Sequence, residues 1–143
     1  MLRLGLGHGI ACGGWCPRKR QAEDGPIDPH YPVKPLPGAG YRERTFANVK
    51  DSDVTIILHP GKLSGGTAFS AMVARELMKP LLIIDLSTLT TGKAAHNILN
   101  FLCEHRPWRV NFSGPRESEW KEGYGQCLTV LNKVFDGDLK GVL

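Results

Sequence analysis

Ser64-Gly65-Gly66-Thr67 sets two adjacent glycines between two hydroxyl side chains, after an apolar run and before a helix-patterned stretch. Residues of these types at this spacing can bind an oxyanion. A helix N-terminus carries unpaired N–H groups and a partial positive charge. Glycine lets the backbone approach a ligand closely and adopt positive φ. A phosphate could then rest on the backbone of residues 64–67. The alternative is a tight turn in which the glycines only relieve strain.

Two other segments have unusual composition. Gly13-Gly14-Trp15-Cys16-Pro17 leads into Arg18-Lys19-Arg20 and Glu23-Asp24-Gly25, and Gly114-Pro115-Arg116-Glu117-Ser118 follows a third apolar run. Arg20 is the preferred anion contact, because a guanidinium can grip an oxyanion through two hydrogen bonds. The other reading of Arg18-Lys19-Arg20 is a solvated charge run. Trp15 either stacks on a ring of the ligand or fills the core. Glu23, Asp24 and Glu117 are the acid/base candidates, set against exposed or structural carboxylates. Arg116 adds positive charge to the site unless it merely pairs with Glu117. Cys16 is read as an ordinary loop cysteine, and His59, alone at a strand end, is weak evidence.

The elements that must position these residues follow from periodicity. Val54-Thr55-Ile56-Ile57-Leu58 is short, β-branched and apolar, which predicts a buried strand. Phe69, Met72, Val73 and Leu77 recur at helical spacing. That helix is expected to start near Thr67, whose hydroxyl can cap it, and to stop at Lys79 before Pro80. Leu81-Leu82-Ile83-Ile84 is a second buried strand, so the unit is βαβ with parallel strands. Upstream, Leu2, Leu4 and Leu6 before Gly7 and Gly9 read as a helix tail, and Ile10-Ala11-Cys12 as a brief strand. Residues 13–40 are too rich in Pro and Gly for regular structure. Tyr41 to Val49 reads as a helix. Thr90 or Thr91 caps another, with Ala95, Ile98, Leu99 and Leu102 on one face and Pro107 closing it. Residues 109–113 form a third strand candidate. A last helix runs from about Tyr124 to Phe135, with Cys127, Leu128, Leu131, Val134 and Phe135 on its apolar face. This order predicts a three-layer α/β fold with a parallel sheet, in one domain spanning residues 1–143. Ligands of such sheets bind outside the carboxyl ends of the strands. If the strands are parallel, all three unusual segments land on that one edge.

The chain has 143 residues, 41% of them apolar and 22% charged, which is globular composition and enough for one core. The net charge of +4 favours an anionic ligand and is too small to argue for nucleic acid. No apolar run reaches the length of a membrane span, and the start lacks a signal-peptide pattern, so a cytoplasmic location is expected. The four cysteines, at 12, 16, 103 and 127, lack zinc-type spacing, and no metal site is expected. Cys103 and Cys127 fall on apolar helix stripes, where cysteine is usually a small core residue.

Four blocks, GGWCPRKRQAEDGPI, YRERTFANVKDSDVTIIL, SGGTAFSAMVARELMKP and NFSGPRESE, taken in order, resemble the putative molybdenum carrier family. These are small Rossmann-like proteins related to the lysine-decarboxylase-like nucleotide-binding proteins. The resemblance spans Gly9 to Phe135. It implies a Rossmann-like parallel sheet with helices on both faces, homo-oligomerisation, and binding of the molybdenum cofactor (molybdopterin) or a related phosphorylated, nucleotide-like ligand. It also implies that the ligand faces Gly13 to Gly25, Ser64 to Thr67 and Gly114 to Ser118.

Members usually open with a strand and a Gly-Gly-Gln-Thr-Gly loop that this sequence lacks. The expectation is therefore an N-terminally shortened domain with one inner sheet edge open, lined by residues 10–12 or 54–58. It would self-associate and bind more weakly than a chain with the block restored. The related phosphoribohydrolases carry a catalytic Glu a few residues after their Gly-Thr. Here Ala68-Phe69-Ser70-Ala71 follows, with no carboxylate before Glu76. That favours a binding protein over a nucleotide-processing N-glycosidase working through Glu23, Asp24 or Glu117. An interaction module with a vestigial site is the third expectation.

Overall fold

A computed structural model describes residue 7 and residues 9–137. The predicted helix tail at Leu2, Leu4 and Leu6 lies outside the described residues. Strand β5 (Val54–His59) is central, hydrogen-bonded to β6 (Leu81–Asp85) on one side and β7 (Val110–Ser113) on the other. Both pairings are parallel, with Ile57 opposite Ile83 and opposite Ser113. Every residue of β5 is buried, which explains its largely apolar run through Val54, Ile56, Ile57 and Leu58. Burying Ile56, Ile57 and Leu58 contributes roughly 1.5–3 kcal/mol each.

Helices cover both faces in three layers. On one face Val54, Ile56 and Leu58 pack with Ala94, Ala95, Ile98 and Phe101 of α3 (Thr91–His105) and with Val130, Leu131 and Val134 of α4 (Gly123–Gly137). Alternation sends Thr55, Ile57 and His59 to the other face. There α1 (Tyr41–Lys50) and α2 (Gly65–Glu76) pack together through Val49, Val73 and Ala74. The buried residues of α2 are Thr67, Ser70, Ala71, Val73 and Ala74, small enough to bring its backbone close to the sheet. Met72, expected on that stripe, is 43% exposed. Cys103, expected in the core, is exposed on α3. Thr90 caps α3 as predicted, its hydroxyl accepting from Lys93 N at 3.2 Å.

Three expectations need correction. Residues 10–12 form no strand; the first strand is β1 (Trp15–Cys16), paired in parallel with β4 (Lys34–Pro35) outside the main sheet. The open edge does not fall on β5, whose two sides are both paired; the outer edges belong to β6 and β7. Helix α2 starts at Gly65 rather than Thr67 and ends at Glu76, because Met78 takes a left-handed φ of 52° before Pro80.

Residues 13–40 are organised around one side chain. The Arg20 guanidinium donates to four carbonyls: Ile27 (3.0 Å), Val33 (2.6 Å), Asp28 (2.8 Å) and Tyr31 (3.1 Å). The same loop carries a short hairpin, β2 (Gln21–Ala22) and β3 (Gly25–Pro26), with Glu23 and Asp24 as its two-residue turn.

Candidate functional site

Parallel pairing puts His59, Asp85 and Ser113 at one edge of the sheet, so the loops after β5, β6 and β7 share it. Ser64 to Thr67 and Gly114 to Ser118 both lie there. A Cβ built on Gly65 would sit 3.7 Å from Glu119 Oε1, while the other Glu119 oxygen accepts from Arg116 N at 3.2 Å. The hairpin tip joins them: the Glu23 carboxylate accepts from Ser118 Oγ at 2.5 Å and from Ser118 N at 3.4 Å. Three of the predicted segments therefore meet at this edge, the first only through its far end.

The two glycines of the turn differ. Gly65 has φ +51°, a conformation costly for any residue with a Cβ, so it serves the turn. Gly66 has no such φ, and nothing lies within 4 Å of where its Cβ would be. The first turn of α2 holds no acidic residue of its own. Thr67 is not the cap: it sits three residues into the motif, 4% exposed, its hydroxyl donating to Ser64 O at 2.7 Å. Ser64 precedes the helix in extended geometry and makes no side-chain cap bond.

Gly13, Gly14 and Trp15 fall elsewhere. Trp15 N donates to Asn48 Oδ1 (2.8 Å), and its indole N–H donates to Asp51 Oδ2 (2.6 Å). Both partners lie at the C-terminal end of α1, which leads into the start of β5 at the opposite edge of the sheet. Gly14, at φ +140°, packs there against Asn48, and Gly13 against Pro32 O. The reason is connectivity: the loop runs the length of α1, so only its Glu23 end reaches the strands' carboxyl ends. Arg20, expected at an anion, spends its donors on the four loop carbonyls.

Residues not singled out from sequence join the 114–118 loop at the site. Tyr41, at the start of α1, has the Arg116 guanidinium 4.7 Å from its ring centre and that of Arg44 at 5.8 Å. Neither arginine forms an ion pair or hydrogen bond through its guanidinium with another described residue; the alternative reading, an Arg116–Glu117 pair, is not made. A groove of about 530 Å³ runs beside β7 between α1 and α4, lined by Arg44, Ser70, Ser113, Glu117, Trp120 and Tyr124 among others. Pro115 and Gly114 form part of its wall. Cys127 lines it too, its thiol pushed up to about 11 by burial. His59 is 4% exposed with Nδ1 unpartnered. Asp24 is exposed in the hairpin turn. Among the described residues no group of three His, Cys, Asp or Glu could hold a metal ion, and no helix is long and apolar enough to cross a membrane. The spacing Tyr41, Arg44, Asn48 is the signal that could have found this face: i, i+3 and i+7 share one side of a helix.

A parallel sheet layered by helices, with glycine-bearing and basic loops at its carboxyl edge, defines a Rossmann-like domain. The chain belongs to the circularly permutated YpsA SLOG family, whose model matches residues 1–135. It is similar to a crystal structure of a protein named putative molybdenum carrier protein from Syntrophus aciditrophicus SB. The two share 36% identity with a TM-score of 0.90, over 94% of this chain and 84% of the other. No curated protein matches the chain.

Proposed function

We propose that the chain is a non-catalytic binding or carrier protein for a small phosphorylated ligand of the molybdenum-cofactor or nucleotide kind. The observation that carries this reading is Gly66. The fold makes no demand for glycine there, yet the position is open and sits over the first turn of a helix with no acidic residue of its own. A phosphate can approach the backbone at such a place and meet the helix N–H groups. Arg116 stands in the neighbouring loop with no carboxylate partner among the described residues. The ring of the ligand is better placed against Tyr41, Trp120 or Tyr124 than against Trp15, which is held at the far end of α1. The name of the similar crystal structure agrees with a molybdenum-bearing cargo. The donor set fits the cargo's phosphate and ring. It offers the metal only one thiol, Cys127, which burial keeps protonated.

The test is Gly66→Val together with mass spectrometry of what co-purifies. A Cβ added here meets nothing within 4 Å outside its own helix backbone, so circular dichroism should stay unchanged while calorimetric affinity for the co-purified ligand falls. Equal affinity in both proteins rejects the site.

Hydrolysis is the second reading, because the exposed Glu117 carboxylate lines the groove without a described partner, whereas Glu23 is held by Ser118. Incubation with nucleoside monophosphates should release no free base. Release that disappears in Glu117→Gln would replace the carrier reading.

A further inference from the structure

Arg44 is a mostly buried arginine whose guanidinium makes no hydrogen bond or ion pair with a described residue, its one ring contact being Tyr41 at 5.8 Å. Its Nε is sealed from solvent and has no hydrogen-bond partner. No described carboxylate pairs with it; Tyr41 is its strongest electrostatic neighbour, working against the burial, and the cation Arg116 is the next. Burial and that neighbour both lower the guanidinium's pKa, the burial more strongly. An uncompensated buried cation costs free energy. The rest of α1 gives it no relief: Thr45 Oγ1 donates to Tyr41 O (2.9 Å), and Asn48 is taken up by the Trp15 backbone. What Arg44 does face is the groove beside β7. Ser70 and Ser113 also line that groove, their hydroxyls 3.2 Å apart. Ser70 donates to Gly66 O at 3.0 Å, and the Ser113 proton can turn either to Ser70 or into the groove. Glu117, exposed, stands at the rim.

We propose that Arg44 is an anion-binding residue, and that the groove between α1 and β7 takes a tetrahedral oxyanion group on its guanidinium, with the Ser113 hydroxyl as a further donor. The planar fork suits two oxygens of one such group. Arg44, Ser70 and Ser113 line this groove, whereas residues 64–67 do not, so the proposal does not rest on Gly66. The oxyanion belongs either to free inorganic phosphate or to the phosphate of an organic monoester, and both present the same three oxygens to the fork.

The experiment follows thermal melting and calorimetry of the parent, Arg44→Met, Arg44→Lys and Gly66→Val, with inorganic phosphate and with adenosine monophosphate as probes. Without any anion, Arg44→Met should melt no lower than the parent, since no described hydrogen bond or ion pair is lost. Phosphate should raise the parent's melting temperature and leave Arg44→Met unmoved, with affinity reduced at least tenfold. Arg44→Lys should retain part of the affinity. Gly66→Val should still bind inorganic phosphate, which separates this site from the one under α2. Monophosphate binding at least tenfold tighter than inorganic phosphate, and equally dependent on Arg44, identifies an ester; comparable affinities identify the free oxyanion. A marked fall in melting temperature in anion-free Arg44→Met makes Arg44 structural and overturns the proposal. So does an equal response to phosphate in parent and Arg44→Met, or no response in either. The last outcome would leave the groove as the unpaired edge of β7, open to an added strand.

Discussion

Lys79 offers a direct test of how the site's scaffold is held. Its ammonium donates to the carbonyls of Val49 (3.2 Å), Lys50 and Ser52 (2.6 Å). Val49 and Lys50 are the last residues of α1, the helix that carries Tyr41 and Arg44. A helix leaves its final carbonyls without partners, and a cation there answers both the missing hydrogen bonds and the helix dipole. Replacing Lys79 by Met keeps most of the aliphatic stem and removes only the charge and donors. A hydrogen bond from a charged group contributes about 1.5–3 kcal/mol, but one partly exposed ammonium shared by three carbonyls cannot count that three times. We take about 2 kcal/mol for the whole cap. At about 2.1 cal/mol/K per residue, the 143 residues give an unfolding entropy of about 0.3 kcal/mol/K, so the melting temperature should fall by about 7 °C. Circular dichroism melts at low and high salt check it. A fall below about 2 °C would mean that water caps α1 as well as Lys79 does, and would refute the reasoning.

Other consequences are as specific. Glu119 stands beside the α2 N-terminus, where a ligand phosphate would compete with it, so Glu119→Gln should tighten phosphate-ligand binding about two- to fivefold by titration, the range of one charge at a helix end. Asp85 is held below its ordinary value of 3.8 by the Ser87 hydroxyl, the Gly61 N–H and the Ser87 N–H. Its folded pKa lies under its unfolded one, so it stabilises above the unfolded value and loses that contribution as pH falls through the folded one. Asp85→Asn should flatten the stability–pH curve below about pH 4, as denaturant titrations would record. Cys127, pushed up to about 11 by burial, should alkylate far more slowly than exposed Cys103 in the native protein at pH 8, and comparably once unfolded, as peptide mass spectrometry would resolve.

The central βαβ unit was legible because Val54 to Leu58, buried throughout, and Leu81 to Ile84 are apolar with little polar alternation to confuse, although β6 is an edge strand half-buried except at Ile84 and not the fully buried strand expected. Helices α3 and α4 announced themselves by apolar spacing and, for α3, by a capping threonine and a closing proline. The segment from Gly13 to Gly40 gave no such trace. Its strands are two residues long, and its order comes from one guanidinium reaching carbonyls as far as thirteen positions away, which no periodicity encodes. Hence Trp15 and Arg20 were expected at the ligand, while the structure puts one at the far end of α1 and the other inside the loop. Nothing in the sequence set Arg44 apart from Arg42 on the same helix. Their fates differ because residues two apart on a helix point to different sides: Arg42 lies over the Phe69 ring at 4.3 Å and Arg44 turns into the groove.

The four carbonyl bonds of Arg20 have a consequence for motion. Ile27, Asp28, Tyr31 and Val33 are all restrained by one side chain, so none of these stretches can loosen without releasing the others. Residues 20–33 should therefore open and close as a single cooperative unit, with amide protons exchanging in concert rather than one by one. The unit is joined to the carboxyl edge of the sheet through the Glu23–Ser118 bonds. Each opening event would detach the hairpin tip from the loop after β7, and the lifetime of that unit would set how fast a ligand leaves.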